Sequence, residues 1–252
     1  MHISMLYLWP VKGLAGQRLD QARLQPHKPL AHDRRWAIER SGPVFDAEKP
    51  RHVPKGKFLQ LVNTARLARL KTAYDPETSH LRLFENGELV AEGRLETPRG
   101  RKAIEDFLTN WLGDLAPAKP RIVGAGEHHF FDVPRPWLSI INLQTLKELE
   151  KHAGKPLTPE RFRANIYIDD APAFSEFDWE GKTLAVNGRP ALRIMERIGR
   201  CIATEVNPET GERDVVIPRM MLDTFGHKDC GIYAEPVADI TLHPNDTLTI
   251  LP

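Results

Sequence analysis

Cysteine is scarce: the 252 residues hold only Cys201 and Cys230, and neither belongs to a Cys-x-x-Cys pair. A zinc ribbon and a thioredoxin-type redox motif are thereby excluded. Charge of one sign is missing as well. Lys and Arg number 35 against 34 Asp and Glu, for a net charge of +1. No global field draws nucleic acid or an anionic membrane to such a protein, so any anion site must be local. No apolar run approaches the ~18 residues of a membrane span. The opening stretch, Met1 to Pro10, has no basic n-region, is interrupted by Ser4 and is stopped by Pro10, which argues against a signal peptide. The expectation is a cytoplasmic protein with reduced thiols and no nucleic-acid or membrane partner. A glycine-rich phosphate loop is absent too, so no nucleotide fingerprint is present.

What is there fits a soluble globular chain of one large or two modest domains, with 41% hydrophobic and 27% charged residues. The first hundred residues read as strands: Ile3 to Trp9, Leu19 to Leu24, Arg35 to Glu39, Ala65 to Tyr74, Leu81 to Phe84 and Leu89 to Leu95. Asn86-Gly87 predicts a tight hairpin between the last two. A meander of this kind closes most easily as a small barrel. Helices are predicted at Pro98 to Leu112, with Thr97 as N-cap and Gly113 as stop, and from Asn142 to Ala153, with Gly154 as stop. Asp114 to Pro120 reads as a linker. Strands then resume at Ile166 to Ile168, Thr183 to Val186, Ala191 to Met195, Cys201 to Val206 and Leu248 to Leu251.

Few residues stand out chemically. Cys201 follows Arg200 and lies near Arg197, and guanidinium groups favour the thiolate, the form that binds metals. A lone thiolate makes a poor zinc site but serves as one ligand to a soft metal whose other ligands come from a cofactor. A small buried core residue is the alternative. Arg161 and Arg163 would share one side of an extended segment, suited to a phosphate, or else form a solvated strand edge. Lys12 and Arg34-Arg35 read either as strand-end ligands or as ordinary surface. In Gly226-His227-Lys228-Asp229-Cys230-Gly231, a loop with a structural His–Asp contact competes with a nucleophile and base. Trp137, Phe174, Phe177 and Trp179 read as core or pocket wall.

Taken in order, these segments resemble the MOSC family with its N-terminal β-barrel partner domain. Tyr7-Leu8-Trp9-Pro10-Val11-Lys12-Gly13 is similar to the family opening Y-P-V-K-S/G, and Asp33-Arg34-Arg35-Trp36 to its D-R-x-W strand. Arg161-Phe162-Arg163-Ala164-Asn165-Ile166 resembles R-F-R-P-N-I, with Ala164 for proline. The run Arg200 to Gly211 resembles R-C-x-x-T-x-V-D-P-x-T-G, with Asn207 for aspartate. Gly231-Ile232-Tyr233 and Asn245-Asp246 resemble the terminal G-x-Y and G-D elements. Gly13 stands where a serine is common, and Ile198 replaces a cysteine three residues before Cys201.

The resemblance implies a β-rich α+β fold, with a small barrel domain over residues 1–120 and a MOSC barrel with peripheral helices over residues 121–252. It implies a molybdenum cofactor, with Cys201 as the metal ligand and catalytic centre and Lys12, Arg34, Arg163, Asn165 and Arg200 in the cofactor pocket. Pyridoxal phosphate binding is a further property it carries. The reaction implied is reduction of a small N-hydroxylated or N-oxide substrate, as in amidoxime-reducing members, with electrons from a separate redox protein. The alternative is a non-catalytic carrier of the cofactor, or of sulfur on Cys201. A third reading is a cofactor-free cysteine hydrolase using Cys201 or Cys230 with His227.

Overall fold

Short apolar runs punctuated by turns produce fifteen strands and three helices among the described residues, 1–251, of the computed structural model. The strands are β1 (His2–Leu8), β2 (Gln17–Leu19), β3 (Ala22–Leu24), β4 (Ala37–Glu39), β5 (Lys71–Asp75), β6 (His80–Glu85), β7 (Glu88–Arg94), β8 (Arg121–Val123), β9 (Leu138–Asn142), β10 (Ile166–Asp169), β11 (Thr183–Val186), β12 (Arg189–Gly199), β13 (Asp229–Pro236), β14 (Ile240–Leu242) and β15 (Leu248–Leu251). The helices are α1 (Pro98–Leu112), α2 (Leu143–Ala153) and α3 (Ile217–Phe225). No helix among them is long and apolar enough to cross a membrane.

The largest sheet runs β15-β11-β12-β13-β9-β10-β1-β2. Its ends meet. Leu248 N donates to Met1 O at 2.9 Å, Ile3 N to Asp246 O at 3.0 Å and Asn245 N to Ile3 O at 2.7 Å, so the start of β1 pairs with the approach to β15. Closure into a barrel satisfies edges that would otherwise stay open. Three small sheets complete the β-rich α+β fold: β3 with β14, β4 with β8, and the meander β5-β6-β7. Pairings cross residue 120 repeatedly, since β1 pairs with β10, β3 with β14 and β4 with β8.

The caps follow their chemistry. Thr97 Oγ1 accepts from Gly100 N at 3.0 Å, with Pro98 in the first turn of α1. Asn142 Oδ1 accepts from Gln144 N at 3.0 Å, and Gly154 ends α2 in the left-handed region.

Several expected strands differ. Ala65 to Tyr74 is a 3-10 turn, Ala65–Arg69, followed by β5. The turn buries Leu67 while Arg66 lies 4.3 Å over the Trp111 ring and Arg69 pairs with Glu85, contacts that a straight strand would pull apart. Leu19 to Leu24 divides at Asp20-Gln21, because β2 pairs with β1 and β3 with β14. The segment after Cys201 is a 3-10 turn, Ile202–Glu205, in which Thr204 N and Oγ1 both donate to Cys201 O. Helix α3 was not expected from the spacing; Pro218 sits in its first turn and Gly226 ends it.

Glu39 shows how a loop is held against this frame. Fully buried on β4, it accepts from Val44 N at 2.8 Å, Phe45 N at 2.7 Å and Arg121 Nε on β8 at 2.6 Å. It thereby anchors the long excursion that carries Lys55. Removing this carboxylate leaves the Val44 and Phe45 N–H groups without their acceptor, while Arg121, 42% exposed, can turn to water. Glu39→Ala is expected to lower unfolding free energy by about 2 kcal/mol, read as a lower denaturant midpoint at unchanged m value; a shift under about 1 kcal/mol would remove Glu39 from this role.

Candidate functional site

The site begins where Pro10 ends the first strand. Trp9 N donates to Asp33 Oδ1 at 2.9 Å, Arg34 N donates back to Trp9 O at 2.7 Å, and Trp9 Nε1 donates to Ala164 O at 2.8 Å. The indole is thus fixed at every polar atom. Gly16 covers one ring face so closely that a Cβ there would lie 2.6 Å from the ring. On the ring stands the Arg163 guanidinium, 4.3 Å from its centroid, with Arg34 at 5.8 Å.

Arg34 and Arg163 reach this place through left-handed backbone, φ 48° and 53°. That is uncommon for residues with a Cβ. Arg34 pairs with the buried Asp33, donates to Arg163 O at 2.8 Å and reaches Asn165 Oδ1 at 3.4 Å. Asn165 is itself buried, its Oδ1 accepting from Ser139 N at 3.1 Å and Ser139 Oγ at 3.0 Å. It therefore positions Arg34 and leaves little of its own side chain for a ligand. No carboxylate or carbonyl among the described residues accepts a hydrogen bond from the Arg163 guanidinium, which rests on the ring instead. Burial, and after it the Arg34 charge, pulls that guanidinium down to about 9, so it stays charged at neutral pH.

Opposite stands a strap formed by His128 to Asp132. Phe130 N donates to Arg34 O at 2.7 Å, and the His129 ring bonds Asp33 O. Lys12, buried, donates to Phe130 O at 2.9 Å and to Asp132, while Lys55 donates to Asp132 Oδ2 at 3.2 Å. Burial pulls Lys12 below its ordinary value. Burial would raise the Asp132 carboxyl, but the Lys12 and Lys55 charges override it and hold it well below the carboxylate range.

The third wall carries the thiol. Cys201 is half-buried and leads into the 3-10 turn. Arg200 beside it donates from Nε to Cys230 O at 2.7 Å and from Nη1 to Phe162 O at 2.9 Å, leaving Nη2 buried without a partner. Arg161 reaches Glu205 O at 3.1 Å and pairs with Asp214, leaving its Nε buried without a partner. Arg161 and Arg163 do not share one face of an extended segment as expected. Residues Pro159–Phe162 form a 3-10 turn and Arg163 is left-handed, so one side chain runs to Asp214 and the other to Trp9.

Lys12, Arg34, Arg163, Asn165, Arg200 and Cys201 all line one open cleft of about 1000 Å³ including its mouth. Six of the lining residues are cations (Lys12, Arg34, Lys55, Arg161, Arg163 and Arg200) and one, Asp132, is an acid. Against a net charge of +1 this is a strongly local positive field. The unpartnered guanidinium of Arg163, the orphaned nitrogens of Arg161 and Arg200 and a soft thiol in the same wall match a phosphorylated ligand with a thiolate-seeking metal.

Lys55, Gln60, Asp132, Trp137 and Tyr233 also line the cleft but were not singled out as ligands. Lys55 opens a short 3-10 turn, Lys55–Lys57, and Asp132 lies in an irregular loop, where neither periodicity nor motif marks them. The hydrolase arrangement finds no support, since His227 is not among the residues that line the cleft with Cys201. Cys230 is fully buried on β13, and burial pushes its thiol up to about 12. His227 Nδ1 accepts from Asp229 N at 3.1 Å, a backbone contact within the turn.

The chain matches the family model of the MOSC domain over residues 126–249 and that of the MOSC N-terminal beta barrel domain over residues 1–114. It is 23% identical over 232 residues to mitochondrial amidoxime-reducing component 1 of Homo sapiens, a match covering 83% of this chain and 67% of the human one. The Xenopus laevis protein of the same name is 27% identical over 95 residues, 38% of this chain and 27% of the frog protein. Among solved structures, the YuaD protein from Bacillus subtilis aligns with 99% of this chain and 94% of its own at 13% identity and a TM-score of 0.46. YiiM from Geobacillus stearothermophilus aligns with 46% of this chain and 54% of its own at 16% identity and a TM-score of 0.35.

Asp214, behind the Arg161 wall, makes the electrostatic scheme testable. Burial would raise its carboxyl, but hydrogen bonds from Lys155, Asn207 and Arg161 hold it at about 2. A depressed carboxyl contributes stability that is full above its unfolded value, about 4, and is lost as pH falls through the folded value. Wild-type denaturant midpoints are expected to drop between pH of about 4 and about 2, and Asp214→Asn to shallow that drop. Identical acid limbs for the two proteins would refute the assignment.

Proposed function

Because the chain belongs to the MOSC family, joining a MOSC N-terminal beta barrel domain to a MOSC domain, we propose that its cleft holds a molybdenum cofactor with which it reduces N-hydroxylated or N-oxide compounds. The observation that carries this reading is the half-buried Cys201 in the wall of a cleft with six cations and one acid. A thiolate there gives the soft metal its protein ligand. Arg163 and Arg34, with Lys12 and Arg200, supply charge-assisted contacts to the anionic part, and Asn165 serves by holding Arg34. Pyridoxal phosphate suits the cleft less well, since both lysines are engaged with Asp132.

When bound, the cofactor supplies a two-electron couple able to take oxygen from nitrogen. An N-hydroxylated substrate, two electrons and two protons then give the reduced nitrogen compound and water. The chain's own residues do the rest. Trp9 fixes Arg163, the strap from His128 to Asp132 closes the Lys12 side against water, and the turn after Cys201 aims the thiol. On this reading electrons come from a separate redox protein, as the family resemblance implies.

The alternative, a carrier of cofactor or of sulfur on Cys201, rests on the same accessible thiol and is separated by turnover. Protein from a cofactor-producing host is expected to contain about one molybdenum per chain and to reduce benzamidoxime with reduced methyl viologen, but not with NADH alone. Cys201→Ala is expected to abolish turnover. Arg163→Ala is expected to lower molybdenum content more than thermal stability, because a contact worth roughly 1.5–3 kcal/mol is lost only in the bound state. Protein without molybdenum, or a fully active Cys201→Ala variant, overturns the reading; molybdenum without dye-driven turnover favours the carrier.

A further inference from the structure

Of the two lysines in the cleft, Lys12 is the deeper: its side chain is 7% exposed, and its backbone N–H donates to Trp36 O at 2.8 Å. An ammonium has three hydrogens to donate. One goes to Phe130 O at 2.9 Å and another to the Asp132 carboxylate, which also accepts from Lys55 Nζ at 3.2 Å. No other group among the described residues donates to that carboxylate. Asp132 is also the one acid among the residues lining a cleft with six cations. A negative charge that belongs to the protein therefore stands where the two lysines would meet an anionic ligand.

The partners in this contact differ in freedom. Lys12 is walled in, whereas the Asp132 side chain keeps 46% of its surface exposed. Upstream the strap is anchored. Phe130 packs edge-on against Phe45 and Phe58, with ring centroids 4.8 and 5.3 Å away, and its N–H donates to Arg34 O. Downstream no residue from Asp132 to Trp137 belongs to a helix or strand, and Pro134 and Arg135 are exposed. The carboxylate can thus turn to water while Phe130 and Lys12 stay in place. Charge decides when it does so. A carboxylate brings one negative charge, and a phosphate brings about two with three acceptor oxygens. The phosphate gains correspondingly more from the surrounding guanidinium groups.

We infer that the Asp132 carboxylate is a built-in competitor for the anion seat between Lys12 and Lys55, yielding to a phosphate-bearing ligand and turning away singly charged anions. Until it yields, it spares Lys12 an uncompensated buried charge. A small carboxylate entering from solvent would replace one negative charge by another and gain nothing, whereas a phosphate replaces it by a larger one. Asp132 thereby sets which anions the seat accepts. The inference rests on the proposed function only for the identity of the phosphorylated ligand.

The test is calorimetric binding of inorganic phosphate to the full chain from a host that makes no molybdenum cofactor, with melting temperature read without phosphate and at saturation. Asp132→Asn is expected to bind phosphate roughly tenfold more tightly than wild type, because no ion pair of the protein's own has to be broken first. The variant is expected to melt below wild type without phosphate and level with it at saturation, since the carboxylate supports Lys12 only until the ligand arrives. Acetate, which matches Asp132 in charge, is expected to raise the melting temperature of Asp132→Asn and to leave that of wild type unmoved. Glu88→Gln, which removes one negative charge at the exposed start of β7, outside the cleft, is expected to bind phosphate as wild type does. Equal or weaker phosphate binding by Asp132→Asn overturns the proposal, and so does a variant that still melts below wild type at saturation, as a merely structural tie would. Acetate that stabilises wild type as much as the variant, or an equal gain in affinity from Glu88→Gln, overturns it too. Tighter phosphate binding by Asp132→Asn in a chain that takes up no molybdenum from a cofactor-producing host leaves Asp132 in this role and removes the molybdenum reading instead.

Discussion

Two guanidinium groups share one indole ring, and the scaffold around them is arranged to keep like charges close. Arg34 and Arg163 both stand over Trp9, and the proximity of Arg34 adds to burial in pulling Arg163 down. Left to themselves the two would separate into water. They are held because Asp33, buried behind, accepts from Trp9 N and pairs with Arg34, and because Asn165 and Ser139 fix the other side. Each restraint comes from a different part of the chain. The left-handed backbone at both arginines costs of order 1–3 kcal/mol each in conformational free energy, which is tolerable only where the surroundings over-determine the geometry. An anion bound here would offset the repulsion between the two guanidinium groups and stabilise the folded state.

The neutralising acids follow a consistent placement. Asp33 and Asp214 lie behind the wall, where they orient Arg34 and Arg161 without covering the cleft side. Asp132 alone enters the cleft, and there it ties Lys12 and Lys55 to one strap. Arg163 is given no acid at all. Positions of the acids, rather than the number of basic residues, thus decide which cation remains available. That is why a chain with 35 basic and 34 acidic residues can still present a sharply positive surface in one place.

Much of this arrangement was legible in the sequence, for reasons that differ by residue. The caps Thr97 and Asn142 and the stops Gly113 and Gly154 are local chemistry, and local chemistry survives in the fold. Cys201, Arg200, Lys12 and Arg34 were visible through motifs, and all four line the cleft. Strand alternation does not carry from Arg161 to Arg163, because the backbone turns between them. Lys55 and Asp132 were invisible because only the loop path brings them together, and loop paths are set by distant anchors such as Glu39. Gly13 is instructive in another way. Its absent side chain reads in the sequence as a missing serine contact, yet with φ 90° and a would-be Cβ 2.3 Å from Leu59 O, the chain has no room for one.

The pairings across residue 120 connect site and fold at a deeper level. The cleft draws one wall from the end of β1 and the Arg34 turn, another from the strap before β9, and a third from the segments around Arg163 and Cys201. None of these walls exists until β1 has paired with β10 and the barrel has closed through Met1, Ile3 and the approach to β15. Contacts of such sequence separation carry a large loop-closure cost. Any ligand that bridges the Arg163 wall and the Cys201 wall therefore stabilises contacts that the barrel alone must otherwise maintain against the mutual repulsion of its cations. Binding of such a ligand would therefore be coupled to folding through the same residues, because it would neutralise the cations that the barrel brings together.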